Sequence, residues 1–339
     1  MKKTLVAVAA LAAVTGAMAE VTISGFVDKS VTITTYNNGG TGSTAKGVGA
    51  NAIGQDQITF SSTEDLGDGM SAYVNISVAP TVTTAALAGD IGQVGLKGSF
   101  GNIRIGSDYS TLWYTNNMAD ASGWGTGAGQ VHNVSTQGNP TTNVVIYTLP
   151  SFVSGLNVTL ASRLNGLGTG VVNAFAYLAN YSAGGFSVQY AAGTVAVPGA
   201  YYISSGLGGQ TAGSGVTYES ATGDLTGNST AVTYDFGMAK LHAGYATARN
   251  TGDTDQSSNS YTYGVSAPIG GFSVGLAFSQ ATYNSNANTS GLKESGYRVL
   301  AKYPLSKRTS LYLQNGKADQ STGTKRSTAT TGFGVTHSF

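Results

Sequence analysis

Apolar side chains recur at every second position in several segments of this chain. In residues 70–78, Ala72, Val74 and Ile76 alternate with aromatic or small polar side chains, and residues 272–278 repeat the pattern. A period of two is the period of a β-strand, and no helical stripe fits it. The pattern therefore predicts strands with one apolar face and one small or polar face.

The segment after the leader contains no run of about 18 or more consecutive apolar residues, the length that a membrane helix needs. Charged residues nevertheless make up only 10% of the chain, against about 25% in a typical soluble domain. A strand of a membrane barrel needs only about 9–11 residues with apolar side chains at alternate positions. Because the chain has no cysteine, we expect an all-β membrane barrel held by backbone pairing and packing alone.

Very short turns rich in glycine or polar residues separate these strands in pairs, as in hairpins. Seven hairpins give fourteen strands, and an opening strand over 21–36 with a closing strand over 330–339 raises the number to sixteen. About 16–18 strands enclose an aqueous channel. The turns are Gly67-Asp68-Gly69, Gly101-Asn102, Ser151 to Gly155, Gly184-Gly185, Gly237-Met238-Ala239, Gly270-Gly271 and Ser306-Lys307-Arg308.

The connections between hairpins are longer and polar, which predicts loops over 37–55, 194–228, 250–260 and 284–294. The two longest interruptions are 110–142 and 194–228, and a loop of that length usually has a function. Short turns at one rim and long loops at the other are typical of an outer-membrane barrel, with periplasmic turns and extracellular loops.

The first nineteen residues are typical of a secretory signal peptide. Lys2 and Lys3 precede an apolar stretch over 4–14, and Ala17-Met18-Ala19 has the form of a cleavage site. We expect residues 1–19 to be removed and residues 20–339 to form a single transmembrane barrel domain. The formal charge of +1 for the whole chain gives no indication of nucleic acid binding.

Six short segments carry a family likeness, at 21–28, 64–69, 94–101, 234–241, 303–309 and 334–339. They resemble segments of the trimeric general porins of β-proteobacteria (neisserial and Comamonas-type), a family of Gram-negative porins. The resemblance implies a homotrimer in the outer membrane of a Gram-negative bacterium, in contact with lipid and lipopolysaccharide. It also implies a water-filled channel for passive diffusion of ions and small hydrophilic solutes. The segments are VTISGFVD at 21–28, EDLGDG at 64–69, VGLKGSFG at 94–101, YDFGMAKL at 234–241, YPLSKRT at 303–309 and GVTHSF at 334–339.

The same resemblance implies that a third extracellular loop, about 110–142 here, folds into the lumen as a constriction. It further implies that the closing strand with its terminal Phe339 is the assembly signal that the barrel-assembly machinery reads. Two positions depart from the family, which often carries arginine where this chain has Ser107 and Ile146. Strong anion selectivity is therefore not inherited from the resemblance.

The alternation also assigns the charges of the strands to the lumen, since a charge facing lipid at mid-depth costs roughly 2–4 kcal/mol. Asp120 is the only charged residue of the loop over 110–142. If Asp120 faces some of Lys97, Arg104 and Arg163, the lumen has a transverse field that orients dipolar solutes. The alternative is that these are solvated side chains without a special role. The candidate pore-lining residues are Asp120, Lys97, Arg104, Asp108, Arg163, Arg298 and Lys302.

Catalysis and metal binding have little support. His132, His242 and His337 are not spaced as metal ligands, and Asp253 with Asp255 is a weak calcium motif. We therefore expect no catalytic residue, no metal and no cofactor. The alternatives are a channel specific for sugars or small organic anions, a surface adhesin that would need a short repeat, and a barrel enzyme for which no Ser, His and acid set can be assembled.

Overall fold

A computed structural model describes residues 20–50, 53–80, 87–123, 141–164, 174–203, 216–250, 257–284, 291–320 and 325–339. Within these ranges the chain forms seventeen strand segments and one helix, which lies between β6 and β7. The helix is α1 (Thr111–Ala119). The strands are β1 (Glu20–Asn38), β2 (Thr41–Ala50), β3 (Gln57–Gly67), β4 (Met70–Pro80), β5 (Leu87–Gly98), β6 (Gly101–Asp108), β7 (Thr141–Thr148), β8 (Leu156–Arg163), β9 (Ala174–Ala183), β10 (Phe186–Ile203), β11 (Val216–Asp235), β12 (Lys240–Asn250), β13 (Ser257–Ile269), β14 (Phe272–Asn284), β15 (Leu292–Pro304), β16 (Thr309–Gln320) and β17 (Arg326–Ser338).

The strands form one closed antiparallel barrel. From β3 onward each strand pairs with the next one along the chain, and β17 pairs with β1 from Phe26 opposite Ser338 to Asn38 opposite Arg326. At the end of this seam the N–H of Gly25 donates to the carbonyl of Phe339 at 2.9 Å. Closure leaves no sheet edge, as a barrel in hydrocarbon requires.

The first two segments after β1 form a single interrupted strand of the barrel wall. β2 runs beside β1 as far as Ala50 opposite Lys29, and β3 resumes beside the same strand with Gln57 opposite Phe26. The seventeen segments described here therefore make a wall of sixteen strands, the number expected from the turns. Residues 53–56 belong to neither half of the strand.

The short turns lie where the sequence predicts them, all at one rim, although the second turn is at Ser99 and Phe100 and not at Gly101-Asn102. The predicted loops were too long. Thr41–Ala50 is a strand within the expected loop 37–55, β10 and β11 occupy most of 194–228, and β13 and β15 begin at Ser257 and Leu292. Backbone pairing continues through these polar segments without an apolar face, so the alternation gives no signal there.

The two faces of the wall are inverted relative to a soluble protein. Val74 and Ile76 are 40% and 46% exposed on the outer face, whereas Ser77 is 2% exposed on the inner face. On β14, Phe278 is exposed while Ala277 is buried. An apolar outer face around a closed strand wall is the arrangement that lipid solvates. Among the described residues, no helix is long and apolar enough to cross a membrane.

Candidate functional site

A segment inserted between β6 and β7 begins with helix α1, and we call residues 109–123 the inserted segment. The hydroxyl of Ser110 accepts a hydrogen bond from the N–H of Trp113 at 3.2 Å and caps the first turn. At the other end Asp120 is in an extended conformation, and its carboxylate accepts hydrogen bonds from the N–H and hydroxyl of Ser122 at 2.8 and 2.6 Å. This local competition for the backbone ends the helix after Ala119.

Helix α1 packs on the inner face of β9 to β13, so the inserted segment lies inside the barrel. Leu112 forms a buried cluster with Leu178 on β9 and Ala191 on β10. Further along, the Ser229 hydroxyl donates to the Asn116 side-chain oxygen at 2.7 Å. These contacts confirm the expectation that the third loop folds into the lumen, for the part of it that the structure describes; residues 124–140 lie outside that part.

Glycine occupies two positions of the wall beneath Ala121, near the end of the inserted segment. A Cβ added at Gly264 would lie 2.6 Å from that of Ala121, and one added at Gly275 would lie 2.2 Å from the Ala121 carbonyl oxygen. Real Cβ atoms do not approach backbone oxygen so closely, so glycine is required at Gly275 for this contact. The chain therefore uses glycine to let the inserted segment lie flat against β13 and β14.

The start of the inserted segment is held by an ion pair and two phenols. The Arg104 Nη2 and Nε lie 2.9 and 3.1 Å from the Asp108 Oδ2, and the Tyr114 hydroxyl donates to the Asp108 Oδ1 at 2.8 Å. The Tyr109 ring stacks on the Trp113 ring with a centroid distance of 4.1 Å, and the Tyr109 hydroxyl donates to Asp90 on β5 at 2.7 Å.

Both phenols belong to the inserted segment, outside the membrane-spanning strands. Burial raises the pKa of Tyr114, and the neighbouring Asp108 carboxylate raises it further. Burial and the hydrogen bond to Asp90 likewise raise the pKa of Tyr109. The protonated phenol is the hydrogen-bond donor in each pair, so these shifts keep both anchors in the donating form.

The end of helix α1 has its own charged partner. Asp120 is 5% exposed, and its charge acts on Arg298 of β15, which is 1% exposed and donates from Nη2 to the Gln314 side-chain oxygen at 3.0 Å. Two opposite charges buried together offset part of the cost of removing each from water. Arg104 is paired with Asp108, and the expected arrangement, in which Asp120 faces some of Lys97, Arg104 and Arg163, stays a prediction.

The remaining candidates lie on the inner face, as the alternation predicts. Arg163 is directly opposite the buried Val144 and Ala174, and Lys302 is opposite the buried Tyr312. Lys97 is exposed near the rim of short turns.

The two departures from the family also have a place in the wall. Ser107 accepts a hydrogen bond from the N–H of Gly92 at 2.8 Å, so its hydroxyl is used within the wall. Ile146 is 4% exposed and lines, with Arg104 and Tyr114, a recess beside the start of the inserted segment. An apolar side chain therefore stands where the family often has a cation.

Several buried acids were missed by the sequence analysis. Asp28 on β1 is 0% exposed and accepts hydrogen bonds from the N–H of Ile53 at 2.7 Å and of Gly54 at 3.2 Å. Its other oxygen accepts a hydrogen bond from the Tyr312 hydroxyl at 2.6 Å. The parity of β1 places Asp28 on the lumen face and could have indicated it. Two of its partners, Ile53 and Gly54, lie in a segment that the sequence predicts to be a plain loop.

No group of three or more His, Asp or Glu side chains suited to a metal occurs among the described residues. His242 bonds through Nδ1 to the Met118 carbonyl at 3.1 Å, which ties β12 to helix α1. Three predictions fall outside the described residues: the weak calcium motif of Asp253 and Asp255, the loop position of His132, and the signal peptide expected over 1–19.

The chain belongs to the Gram-negative porin family, whose model matches residues 7–323. Outer membrane porin protein 32 of Delftia acidovorans is 28% identical over 349 residues, which cover 92% of this chain and 88% of that protein. Among solved structures, an anion-selective porin from Comamonas acidovorans superposes with a TM-score of 0.76 at 22% identity, covering 95% of this chain and all of that one. The trimer form of OmpT from Vibrio cholerae gives 0.72 at 11% identity, covering 95% and 99%.

Membership of this family fixes the class of activity. The chain is a porin of the Gram-negative outer membrane, and it forms a channel for passive diffusion. The family and these relatives are channels and not enzymes. The likeness to β-proteobacterial porins read from the turns is confirmed.

Proposed function

We propose that this porin is a weakly selective homotrimeric channel whose constriction is built by the inserted segment, within the loop 110–142. The observation that carries the proposal is the position of helix α1 on the inner wall, pinned by Leu112, Asn116 and the glycines beneath Ala121. A segment that crosses the lumen at this depth narrows the path of every solute. The trimer rests on the family and on the trimeric neighbour.

Weak ion selectivity follows from how the charges of the constriction are arranged. Arg104 forms an ion pair with Asp108, and Asp120 acts on Arg298. Opposite charges at short range, as in the pair of Arg104 and Asp108, produce little net field at the distance of a passing ion. Since Ser107 and Ile146 replace the family's cations, we expect less anion preference than the Comamonas relative's name describes.

A channel that prefers small neutral solutes such as sugars is the second candidate. The observation that favours it is the aromatic group of Tyr109, Trp113 and Tyr114 at the start of the inserted segment, where Tyr114 is 37% exposed. Aromatic rings with polar edges suit hydroxylated solutes, which present both C–H and O–H groups. Liposome swelling with sugars of increasing size separates this candidate from a non-specific pore.

Further partners follow from the same proposal. The barrel's apolar outer face would contact lipid, and its loops would contact lipopolysaccharide. The terminal Phe339 would serve the barrel-assembly machinery as its recognition signal, after removal of residues 1–19. We expect residues 20–339 to act as one domain without catalytic activity, metal or cofactor.

The decisive measurement is the reversal potential of the purified protein in planar bilayers under a salt gradient. We expect the reversal potential of the wild type to be close to that of a non-selective channel. The ion preference should shift toward cations in Arg104→Gln and toward anions in Asp120→Asn. Lys317→Gln is the matched control, because Lys317 is 43% exposed on the outer face of β16. Identical potentials in all four proteins would refute a role for these charges, and bilayers that never open would refute the pore.

A further inference from the structure

Residues 53–56 form a second segment on the inner side of the barrel wall, and we call them the second segment. They lie between β2 and β3, whereas the inserted segment lies between β6 and β7. They belong to the interruption between β2 and β3, where the ladder beside β1 is broken between Phe26 and Lys29. Asp56 repairs this break, since its Oδ1 accepts a hydrogen bond from the Asp28 N–H at 2.6 Å and its other oxygen pairs with Lys29. The wall is thus sealed although the chain leaves it.

One end of this second segment reaches β15 and β16. Ile53 packs against Leu300 and Tyr312, both of which are buried on the inner face. Leu300 is also the wall residue next to the last described part of the inserted segment, because a Cβ added at Gly123 would lie 3.7 Å from its Cδ2. The two segments therefore meet at Leu300.

The other end reaches β5 and the start of the inserted segment. The Gln57 side-chain nitrogen donates to Asp90 at 2.7 Å and to the Ser77 hydroxyl at 2.8 Å. The Gln55 side-chain oxygen lies 2.9 Å from the Tyr109 hydroxyl, which also donates to Asp90.

A phenol has only one proton to donate. If the phenol donates its hydrogen bond to Asp90, the phenol oxygen can still accept one. The Gln55 amide can supply it when its nitrogen and oxygen are exchanged, because the two amide orientations have the same shape. Either orientation of the amide makes Gln55 the second meeting point of the two segments.

We propose that the two segments together form a closed ring inside the barrel, and that Gln55 lines the narrow passage at this ring. The ring runs from Tyr109 through helix α1 to Gly123, passes to Ile53 at Leu300, and returns through Gln55 to Tyr109. On the side of residues 53–55 it presents an amide, a phenol and an aliphatic side chain. This side therefore selects permeating solutes by size and hydrogen bonding and not by charge.

The proposal rests on the proposed function as a pore. It also predicts that position 55 lies at a narrow passage, which a constriction made by the inserted segment alone does not predict. Because the chain contains no cysteine, Gln55→Cys carries a single thiol that can be modified while the channel is open. The probes are methanethiosulfonates with a positive trimethylammonium group or a negative sulfonate group. Gln93→Cys is the matched control, since Gln93 lies opposite Asn75 on the inner face of β5, and the register shift at Asp90 brings the Asp90 side chain to the same face. Gln93 lies roughly 7 Å nearer the short turns, about two spacings of 3.3 Å per residue.

We expect both probes to lower the conductance of Gln55→Cys at least about twofold, as bulk added at a narrow passage should. The two probes should also shift the reversal potential in opposite directions, and both effects should be much smaller in Gln93→Cys. A thiol at position 55 that does not react, or that changes the current no more than one at position 93, overturns the proposal. Ile53→Cys gives the same test if Gln55→Cys does not fold, and an unmodified protein that never opens would instead refute the pore.

Discussion

Asp28 offers a direct test of how the second inner segment is held. Its carboxylate is fully buried and accepts hydrogen bonds from two backbone N–H groups and one phenol, from Ile53, Gly54 and Tyr312. Hydrogen bonds to a charged group contribute about 1.5–3 kcal/mol each. Removal of the carboxylate would leave three buried donors without this acceptor, at about 1–3 kcal/mol each. Part of that cost is offset because the buried charge is removed as well.

We therefore expect Asp28→Ala to lower the free energy of unfolding by about 3–5 kcal/mol. For about 320 residues the midpoint of thermal unfolding should fall by roughly 4–8 °C, at about 1.5 °C per kcal/mol. Asp28→Asn keeps the shape but leaves only one oxygen, so it should also be destabilised. The measurement is the loss of β-sheet circular dichroism on heating in detergent, with all variants heated at one scan rate so that their midpoints are comparable.

Asp319→Ala is the matched control. Asp319 pairs with Lys317 at 2.7 Å, but both side chains are more than 40% exposed, and exposed pairs contribute about 0–1 kcal/mol. An unfolding midpoint for Asp28→Ala within the range of Asp319→Ala would refute the reasoning. A loss in Asp28→Ala that is absent in Asp28→Asn would show that volume, and not hydrogen bonding, holds the segment.

Three further predictions concern the inserted segment and the barrel seam. Gly275→Ala places a Cβ against the Ala121 carbonyl, so single-channel recordings should show an altered conductance, whereas Gly47→Ala, with nothing within 4 Å of its added Cβ, should not. Tyr114→Phe removes the hydrogen bond to Asp108 and should increase open-channel current noise, and a trace as quiet as the wild type would contradict this anchor. Deletion of Phe339 removes the paired hydrogen bonds with Gly25 and should reduce the amount of folded barrel in outer-membrane fractions while leaving secretion unchanged.

The parts of the fold that could be predicted from sequence are those with a local cause. Turns were found because Gly67, Gly184 and Gly270 have positive φ angles, which glycine adopts without strain. Spanning strands were found where lipid imposes alternation. The strand Thr41–Ala50 was missed because it has only one large apolar side chain, Val48, and its pairing with β1 depends on backbone groups that leave no pattern in the sequence.

The sequence predicts which face of the wall the charged side chains of the candidate site occupy, but not which residues they contact. Parity placed Arg104, Arg298 and Lys302 in the lumen, since that argument needs only the strand and the cost of a charge in lipid. It could not assign Asp108 to Arg104, because four residues of regular strand would separate them by about 13 Å. The pair depends on the register shift between Gly106 and Asp108, which leaves no pattern in the sequence.

Contacts between the wall and the inner segments explain the positions of several glycines better than strand formation does. Glycine in a strand interior weakens the strand. Strand formation therefore does not explain why Gly264 and Gly275 lie in adjacent strands. Both glycines lie beneath Ala121, where any side chain would displace the inserted segment into the passage. Larger groups, among them Asp108, Asp28 and Tyr312, occur where an inner segment begins or is fastened. The lumen face therefore has two kinds of position. Small residues lie beneath the inner segments, and charged or phenolic side chains bind the ends of those segments.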